Sequence, residues 1–385
     1  MKVLMVEASG RGFLAHHAQA LAAGLAGAGA RVRMATAAGD ELAGWQAPFE
    51  RRHCPGRDCW GWLRREVTTW RPEVVHLQWV DSAWQAWRFT RWAQRQGAAV
   101  LASPHNILPH RGRLRRLPAH LLWYRALDAV VARDAHLGWA LEEIFGLPRE
   151  RVVVDERTPN LMGLPGFPRR RPPELAPRAA GELRLLVFGH GAPSKGVGVL
   201  LEALAGLEAP GLHLVLAGQD PLRGVPAGRL GAARRRVRVS VIDRYLEPAE
   251  GAWLLRDADL LVLPYTKLCH SPQLALARDC ALPVLRTHRV QGMDFAEGRD
   301  GVTVKAGEGA ALREALAALA AQPGRLAAMR RALAEAAQAE AALAGLARMH
   351  LALYERLRQG AAARAAGRAA MQARRSIGAG AGGGT

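Results

Sequence analysis

The feature that most constrains the fold is a regular alternation of short apolar, β-branched runs with longer helical stretches. In the first half of the chain, strand-like runs occupy residues 2–7, 31–35, 73–78, 98–102, 128–132 and 151–156. Helical patterns lie between them, for example over 82–96 and 135–145. Strands that alternate with helices of this length predict a parallel sheet covered by helices on both faces.

The alternation breaks between about residues 160 and 182, where five prolines occur without any periodicity. It restarts with strand-like runs at 183–189, 213–218, 237–242, 259–265, 282–287 and 301–305. We therefore predict two α/β domains, at 1–165 and 183–340, joined by a linker at 166–182. The remainder predicts a C-terminal helix at 341–358 that packs back on the first domain, then a disordered basic tail at 359–385.

Composition narrows the class of protein. Half of the 385 residues are apolar and 23% are charged, which excludes a mainly disordered chain. Because no apolar run reaches about 18 residues, and because Glu7 precedes any signal-like stretch, we expect neither a membrane span nor a secretory signal. The cytosol is the expected compartment. The net charge of +19 predicts a polyanionic partner, which is a phosphorylated substrate, an anionic lipid or a nucleic acid.

A glycine-rich loop carries the sharpest local signal. Gly189, His190, Lys195 and Gly196 follow a predicted strand and precede a predicted helix. Glycines let the backbone approach a ligand, a helix N-terminus offers free N–H groups, and a lysine adds a positive charge for phosphate. Lysine is scarce, with only four in the chain, which favours a phosphate-binding role over a structural turn with a surface lysine.

Other candidate residues follow strands of the first domain. Gly10 and Gly12 form a tight turn after the first strand, and His105 and His110 follow the run at 98–102. Parallel sheets bind ligands at the carboxyl ends of their strands. For both histidines, a purely structural role is the alternative.

Several motifs together resemble the GT-B glycosyltransferases, in particular the large retaining family (group 1) that includes bacterial mannosyl- and glucosyltransferases of polysaccharide synthesis. The resemblance rests on the glycine loop and on the segments LVLAGQDP (214–221), DADLLVLPY (257–265), SPQLALARDCALPV (271–284) and ASPHNILPH (102–110). It implies two Rossmann-like domains with an intervening cleft.

The resemblance also implies an activity and a site. The second domain would bind a UDP- or GDP-linked sugar without a metal or another cofactor, and the first would bind a saccharide or lipid-linked saccharide acceptor. Donor-binding residues would be Gly189, His190, Lys195, Gly196, Arg244, Ser271, Pro272 and Gln273, together with Gly10 and Gly12. His105 and His110 would be catalytic. For Arg244, a plain surface arginine is the alternative.

The chain departs from the family pattern at two positions. Many members carry two glutamates eight residues apart, and Leu268 and Leu276 stand at those positions here. This keeps open an inactive GT-B scaffold that binds a partner. A basic nucleic-acid-binding protein is less favoured, because the arginines are scattered among helices and no nucleic-acid-binding module is present.

Two further patterns yield expectations. Cys54 and Cys59 have no matching second pair, so we expect free thiols rather than a zinc site. Four arginines within 111–116 adjoin Leu117, Leu121, Leu122 and Trp123, which predicts peripheral contact with an anionic membrane on the inner face of the plasma membrane, or else a solvated basic face.

Overall fold

Two parallel sheets organise the molecule, one in each of two units. The first unit comprises Met1–Thr158 and Ala341–Thr385, and the second comprises Pro159–Glu340. This computed structural model describes residues 1–55, 58–104, 106–108, 113–157, 159–209, 211–292, 295–336 and 339–380. The two α/β domains predicted from the strand and helix pattern are confirmed.

The first unit contains a seven-stranded sheet in the order β3-β2-β1-β4-β5-β6-β7, with all pairs parallel. Its strands are β1 (Lys2–Glu7), β2 (Arg31–Thr36), β3 (Glu50–His53), β4 (Val74–Trp79), β5 (Ala99–Ala102), β6 (Ala129–Ala132) and β7 (Val152–Val154). Its helices before residue 158 are α1 (Gly12–Gly27), α2 (Cys59–Trp70), α3 (Ala83–Arg95), α4 (Arg113–Ala126) and α5 (Ala135–Glu143). The short β5 and β6 are buried along their whole length, as expected for central parallel strands.

The second unit contains a six-stranded parallel sheet in the order β10-β9-β8-β11-β13-β15. Its strands are β8 (Leu183–Phe188), β9 (Leu212–Gly218), β10 (Arg238–Asp243), β11 (Leu260–Leu263), β13 (Val284–Thr287) and β15 (Gly301–Val304), and a separate pair joins β12 (Cys269–His270) to β14 (Val290–Gln291). Its helices are α6 (Val197–Ala205), α7 (Arg229–Arg234), α8 (Pro248–Asp257), α9 (Gln273–Asp279), α10 (Gly309–Ala321) and α11 (Pro323–Ala336).

The last helix, α12 (Ala339–Gly380), packs on the first unit. Leu346, Leu353 and Tyr354 share a buried cluster with β1 and α1. Arg364 pairs with Asp128 at 2.8 Å, within the segment predicted to be a disordered tail. That prediction is therefore wrong over 359–380, because alanine and arginine favour helix and no proline interrupts the run.

The segment predicted as a linker, 166–182, belongs to the second unit, which begins at Pro159. Leu175 is fully buried, and the Arg178 guanidinium donates to the Asp259 carboxylate at 2.9 Å. Prolines remove periodicity without preventing a segment from packing, so the predicted boundary lies several residues too late.

Cys54 and Cys59 form a disulfide, which contradicts the expectation of free thiols. Cys54 follows β3 and Cys59 begins α2, and their Cα atoms lie 5.7 Å apart. This separation is ordinary for a disulfide. Sequence spacing alone could not show that the end of β3 and the start of α2 come this close.

No helix in the described part of the chain is both long and apolar enough to cross a membrane. In α4, Trp123 is only 4% exposed, whereas Leu122 is 46% exposed. Trp123 is therefore unavailable as the membrane anchor that the sequence suggested.

Candidate functional site

The glycine loop that follows β8 adopts a conformation that only glycine tolerates at several positions. Gly189 and Gly196 have φ of +98° and +69°. A Cβ atom on Gly191 would lie 1.7 Å from the Asp220 carbonyl oxygen, and one on Gly196 would lie 1.8 Å from the Pro264 carbonyl oxygen. The loop therefore packs directly against the segments that follow β9 and β11.

The loop lies where ligands bind in open parallel sheets. In the second unit the strand order reverses between β8 and β11, which makes their carboxyl ends the topological switch point of the sheet. Thr266, just after β11, donates its amide to the Ser194 carbonyl at 2.8 Å. The glycine loop and the segment after β11 thus form the two sides of this crevice.

Lys195 and Gln273 meet at Gly189. A Cβ atom on Gly189 would lie 3.4 Å from Lys195 Nζ and 3.1 Å from Gln273 Nε2. Burial lowers the pKa of Lys195, and no carboxylate pairs with it among the residues that the structure describes. A partly desolvated ammonium without a protein counter-ion can hold an anion.

Gln273 is itself oriented by neighbouring groups. Its Nε2 donates to the Phe188 carbonyl, and its Oε1 lies 3.4 Å from the Tyr265 hydroxyl. That hydroxyl also lies 3.5 Å from Ser271 Oγ. Ser271 is buried and Pro272 is exposed. Sequence reasoning missed Tyr265 and Thr266, although their place after an apolar strand is the signal that could have identified them.

Arg244 is engaged by two protein carboxylates. Its guanidinium makes four hydrogen bonds of 2.6–2.9 Å to the carboxylates of Glu174 and Glu250. These bonds raise the pKa of Arg244. The side chain therefore holds the segment before β8 against α8, and its contact with the nucleotide stays a prediction.

The remaining residues predicted for this unit separate into exposed and buried positions. His190, within the glycine loop, is exposed. Of the two leucines at the family's glutamate positions, Leu268 is 59% exposed and Leu276 is 3% exposed in α9. Leu276 belongs to the packed interior rather than to an open surface.

The Gly10–Gly12 turn of the first unit is occupied by protein carboxylates. The Gly10 amide donates to Glu7 Oε2 at 2.8 Å, and the Gly12 amide donates to Glu41 Oε1 at 2.6 Å. Burial raises the pKa of Glu7, whose carboxylate also accepts from the Ser9 amide at 3.0 Å. These two amides are therefore committed within the unit, and donor binding by Gly10 and Gly12 stays a prediction. The predicted catalytic residues His105 and His110 lie outside the described residues.

A buried polar cluster links β4 to α12. Nδ1 of His76 lies 2.6 Å from the Tyr354 hydroxyl, and its Nε2 lies 2.8 Å from Ser103 Oγ. His350 stacks on His76 at 5.5 Å. Arg133, directly after β6, has three buried guanidinium nitrogens without a hydrogen-bond partner, and burial lowers its pKa to about 9.

Within the described residues, no three histidine, cysteine, aspartate or glutamate side chains are grouped to hold a metal ion. The candidate site of the second unit is thus built from a glycine loop, one lysine, amides and hydroxyls. Such groups can bind an anion and position a polar ligand.

Two Rossmann-like units, each built on a parallel sheet with a loop at its switch point, define the class of GT-B proteins. HepE from Anabaena, solved in complex with UDP, aligns with a TM-score of 0.65 and 16% identity over 92% of this chain and 100% of its own. A glycosyltransferase from Rickettsia africae ESF-5 aligns with a TM-score of 0.63 and 14% identity over 92% of this chain and 98% of its own. These likenesses show the fold.

Sequence comparison identifies the family. Residues 14–154 match the profile of Glycosyltransferase Family 4, and residues 182–322 match that of Glycosyl transferases group 1. Since the two matches together span most of the chain, it belongs to the group 1 glycosyltransferases, as the sequence motifs predicted.

One curated relative is similar over part of its length. The GDP-mannose:glycolipid 4-beta-D-mannosyltransferase of Xanthomonas campestris pv. campestris is 26% identical over 243 residues. The match covers 57% of this chain and 63% of that protein, which is less than two thirds of the relative's length.

Proposed function

We propose that the chain transfers a sugar from a nucleotide diphosphate sugar to a saccharide or lipid-linked saccharide acceptor, in polysaccharide or glycolipid synthesis. The observation that carries the proposal is Lys195, which lies in a glycine loop at the switch point of the second sheet. It is a partly buried cation with no carboxylate partner in the described part of the chain. The second unit would bind the donor and the first unit the acceptor.

The chemistry explains why a lysine belongs there. Departure of a nucleoside diphosphate from the sugar concentrates negative charge on the leaving phosphates. Lys195, together with the positive end of α6, which begins at Val197, would stabilise that charge. Gln273, beside the lysine, would position a phosphate or sugar oxygen through its amide.

The donor class follows from the relatives. One is named for GDP-mannose, and another was solved with UDP. We therefore propose a UDP- or GDP-linked donor, bound without a divalent metal because Lys195 supplies the compensating charge. His105 and His110 stay proposed catalytic residues on the sequence motif alone.

Calorimetry with UDP and with GDP, in the presence and absence of chelator, tests the proposal. One of the two nucleotides should bind equally well in both conditions. Lys195→Ala should weaken binding at least tenfold, or about 1.4 kcal/mol, because the desolvated phosphate loses its cation. Lys305→Ala is the matched control, since Lys305 is exposed and its ammonium pairs with the Glu308 carboxylate. Strict metal dependence, or an unchanged affinity in a folded Lys195→Ala variant, would contradict the proposal.

An inactive scaffold is the second candidate, favoured by Leu268 and by the burial of Leu276. Such a protein would bind the nucleotide but release no UDP or GDP from the corresponding sugar nucleotide when acceptor lipids are added. Measuring nucleotide release against time separates it from a transferase.

We also propose a cytoplasmic location with peripheral contact at an anionic membrane. A glycolipid acceptor would be presented there, and the relative from Xanthomonas is named for such an acceptor. Exposed Arg115, Arg116 and Leu122 on α4 support the contact through charge and apolar surface.

A further inference from the structure

A cavity of about 620 Å³ opens in the first unit, at the carboxyl ends of β4 and β5 and against α4. Its lining includes two buried side chains with polar atoms, an exposed tryptophan and two arginines. Its position at the strand ends is where parallel sheets bind ligands. The volume is ample for one or two sugar rings.

The inner wall of the cavity carries unsatisfied polar atoms. Gln78 is 2% exposed and Trp123 is 4% exposed, and both line the cavity. Among the residues that the structure describes, Gln78 Oε1 and Trp123 Nε1 are buried and have no hydrogen-bond partner. A hydrogen-bond acceptor and a donor left unpaired each destabilise the protein, unless a ligand completes them. Sugar hydroxyls can both donate and accept, whereas an acyl chain would leave both atoms unpaired.

An aromatic wall lies beside these polar atoms. Trp84 is 49% exposed, and its ring stacks on Trp87 with centroids 4.9 Å apart. A rigid, exposed indole offers a flat apolar surface with little entropy left to lose. The C–H face of a sugar ring is complementary to such a surface.

The rim of the cavity is positively charged. Arg115 and Arg116 line it and are exposed, while Asp81 is the one acid among the lining residues that the structure describes. The N-terminus of α3, capped by Ser82, opens onto the same space and adds positive potential. The charge therefore favours an anionic group next to the sugar.

We propose that this cavity binds a sugar unit of the acceptor together with an adjoining acidic group, either a phosphate or a carboxylate. The inference rests on the proposed function, since it gives the acceptor of that reaction its chemical class. Gln78 and Trp123 contact the sugar hydroxyls, Trp84 stacks on the ring, and Arg115 and Arg116 bind the acidic group.

Ligand-observed NMR with three probes on the full chain tests the proposal. The chain is saturated with UDP or GDP, so that the phosphate of a probe does not bind at the glycine loop of the second unit. The probes are glucose 1-phosphate, glucuronic acid and methyl glucoside. At least one anionic probe should bind five times more tightly than methyl glucoside. The probe that binds better decides between phosphate and carboxylate.

Three variants locate the binding. Arg115→Gln combined with Arg116→Gln should weaken the anionic probe at least tenfold and leave methyl glucoside unchanged. Trp123→Phe, which removes the indole N–H and keeps an aromatic ring, should weaken all probes at least threefold. The matched control combines Arg91→Gln and Arg95→Gln, exposed residues of α3 that do not line the cavity. It should change nothing.

The outcomes separate this inference from the proposed function. Nucleotide binding in every variant shows that the protein is folded and that the second unit is intact. If no nucleotide binds, the proposed function fails. The saccharide titrations are then measured without nucleotide and still test this inference. The inference is overturned if none of the probes binds or if all three bind equally well. It is also overturned if the control variant loses as much affinity as the double arginine variant. A double arginine variant that binds the anionic probe as tightly as the unaltered protein overturns it too, because the two arginines then do not contact the acidic group.

Discussion

At the scale of single residues, the glycine loop is held in place before any ligand arrives. The Gly189 and Gly191 amides donate to the carbonyls of Ala217 and Gln219 at 2.8 Å, and carbonyls from two other segments occupy the space that side chains would need. A loop fixed in this way loses little conformational entropy on binding. A larger part of the interaction free energy between Lys195 and a phosphate therefore contributes to binding affinity.

Ala281 offers a stability prediction at the same scale. It follows α9 with φ of +50°, a conformation that is unfavourable for a residue with a Cβ atom. Ala281→Gly should raise the free energy of unfolding by about 0.5–1 kcal/mol, because glycine adopts this conformation without strain. Urea denaturation measures the change.

The matched control makes the same substitution within the helix. Ala277 is fully buried in α9, so Ala277→Gly should lower the free energy of unfolding by about 1 kcal/mol or more. Destabilisation by both substitutions would show that the conformation of Ala281 carries no strain.

Residue-level prediction from sequence relied on local signals. Gly189, Lys195, Gly196 and Gln273 were singled out, and the structure brings them together, while their role in binding stays a prediction. The ion pair of Arg244 was not anticipated, because its partner Glu174 lies 70 residues away. An ion pair of that kind leaves no pattern in the sequence, whereas a glycine loop before a helix does.

At the scale of elements, α12 is joined to β4 by a buried hydrogen bond. The Tyr354 hydroxyl and His76 Nδ1 are 2.6 Å apart, and both residues are fully buried. Tyr354→Phe should lower the free energy of unfolding by about 1–2 kcal/mol, since it leaves a buried polar atom without this partner. Tyr245→Phe is the control, because that side chain is 52% exposed and should change stability little. Equal effects of the two substitutions would contradict this role for Tyr354.

The same cluster predicts a dependence of stability on pH. Burial lowers the pKa of His350 to about 4 and holds that of His76 well below its ordinary value. Below about pH 6.5 the unfolded chain therefore takes up protons that the folded chain does not. The free energy of unfolding should fall as pH drops from 6.5 towards 4, by up to about 1.4 kcal/mol per pH unit for each histidine.

Comparison of two variants isolates this contribution from the other titrating groups. His350→Gln should flatten the decrease in stability between pH 6.5 and about 4, whereas His136→Gln, at an exposed position on α5, should leave it unchanged. Urea midpoints across this range provide the measurement. Identical slopes for both variants would exclude His350 as a source.

Element prediction from sequence was accurate for apolar strands, but it missed the polar β3 and was weaker for termini. The apolar runs at 2–7 and 183–189 coincide with β1 and β8, because buried parallel strands consist of continuous apolar residues. The low complexity of 359–380 suggested disorder, but contacts such as Arg364 with Asp128 lie far apart in sequence. Composition does not register such contacts.

At the scale of the whole molecule, the chain carries a net charge of +19. Several arginines pair with acids, as Arg33 does with Glu66 and Arg184 does with Glu182. A duplex DNA probe should therefore bind only through its phosphates, weakly and without sequence preference, and lose affinity steeply between about 50 and 200 mM salt.

Fluorescence anisotropy across this salt range measures that binding. A chain ending at residue 358 serves as the comparison, since it lacks Arg364, Arg368, Arg374 and Arg375 and should bind DNA more weakly with a shallower salt slope. DNA binding that stays tight at about 200 mM salt would favour the nucleic-acid alternative instead.

The return of α12 to the first unit also shapes how the protein is made. Residues near Val3 and Leu21 complete their buried cluster only with Leu346, Leu353 and Tyr354. During synthesis, the contiguous second unit leaves the ribosome while the first still lacks its last helix. A nascent chain therefore carries an uncovered apolar face for most of its translation. A ribosome that stopped near residue 340 would release a complete second unit attached to an aggregation-prone first one.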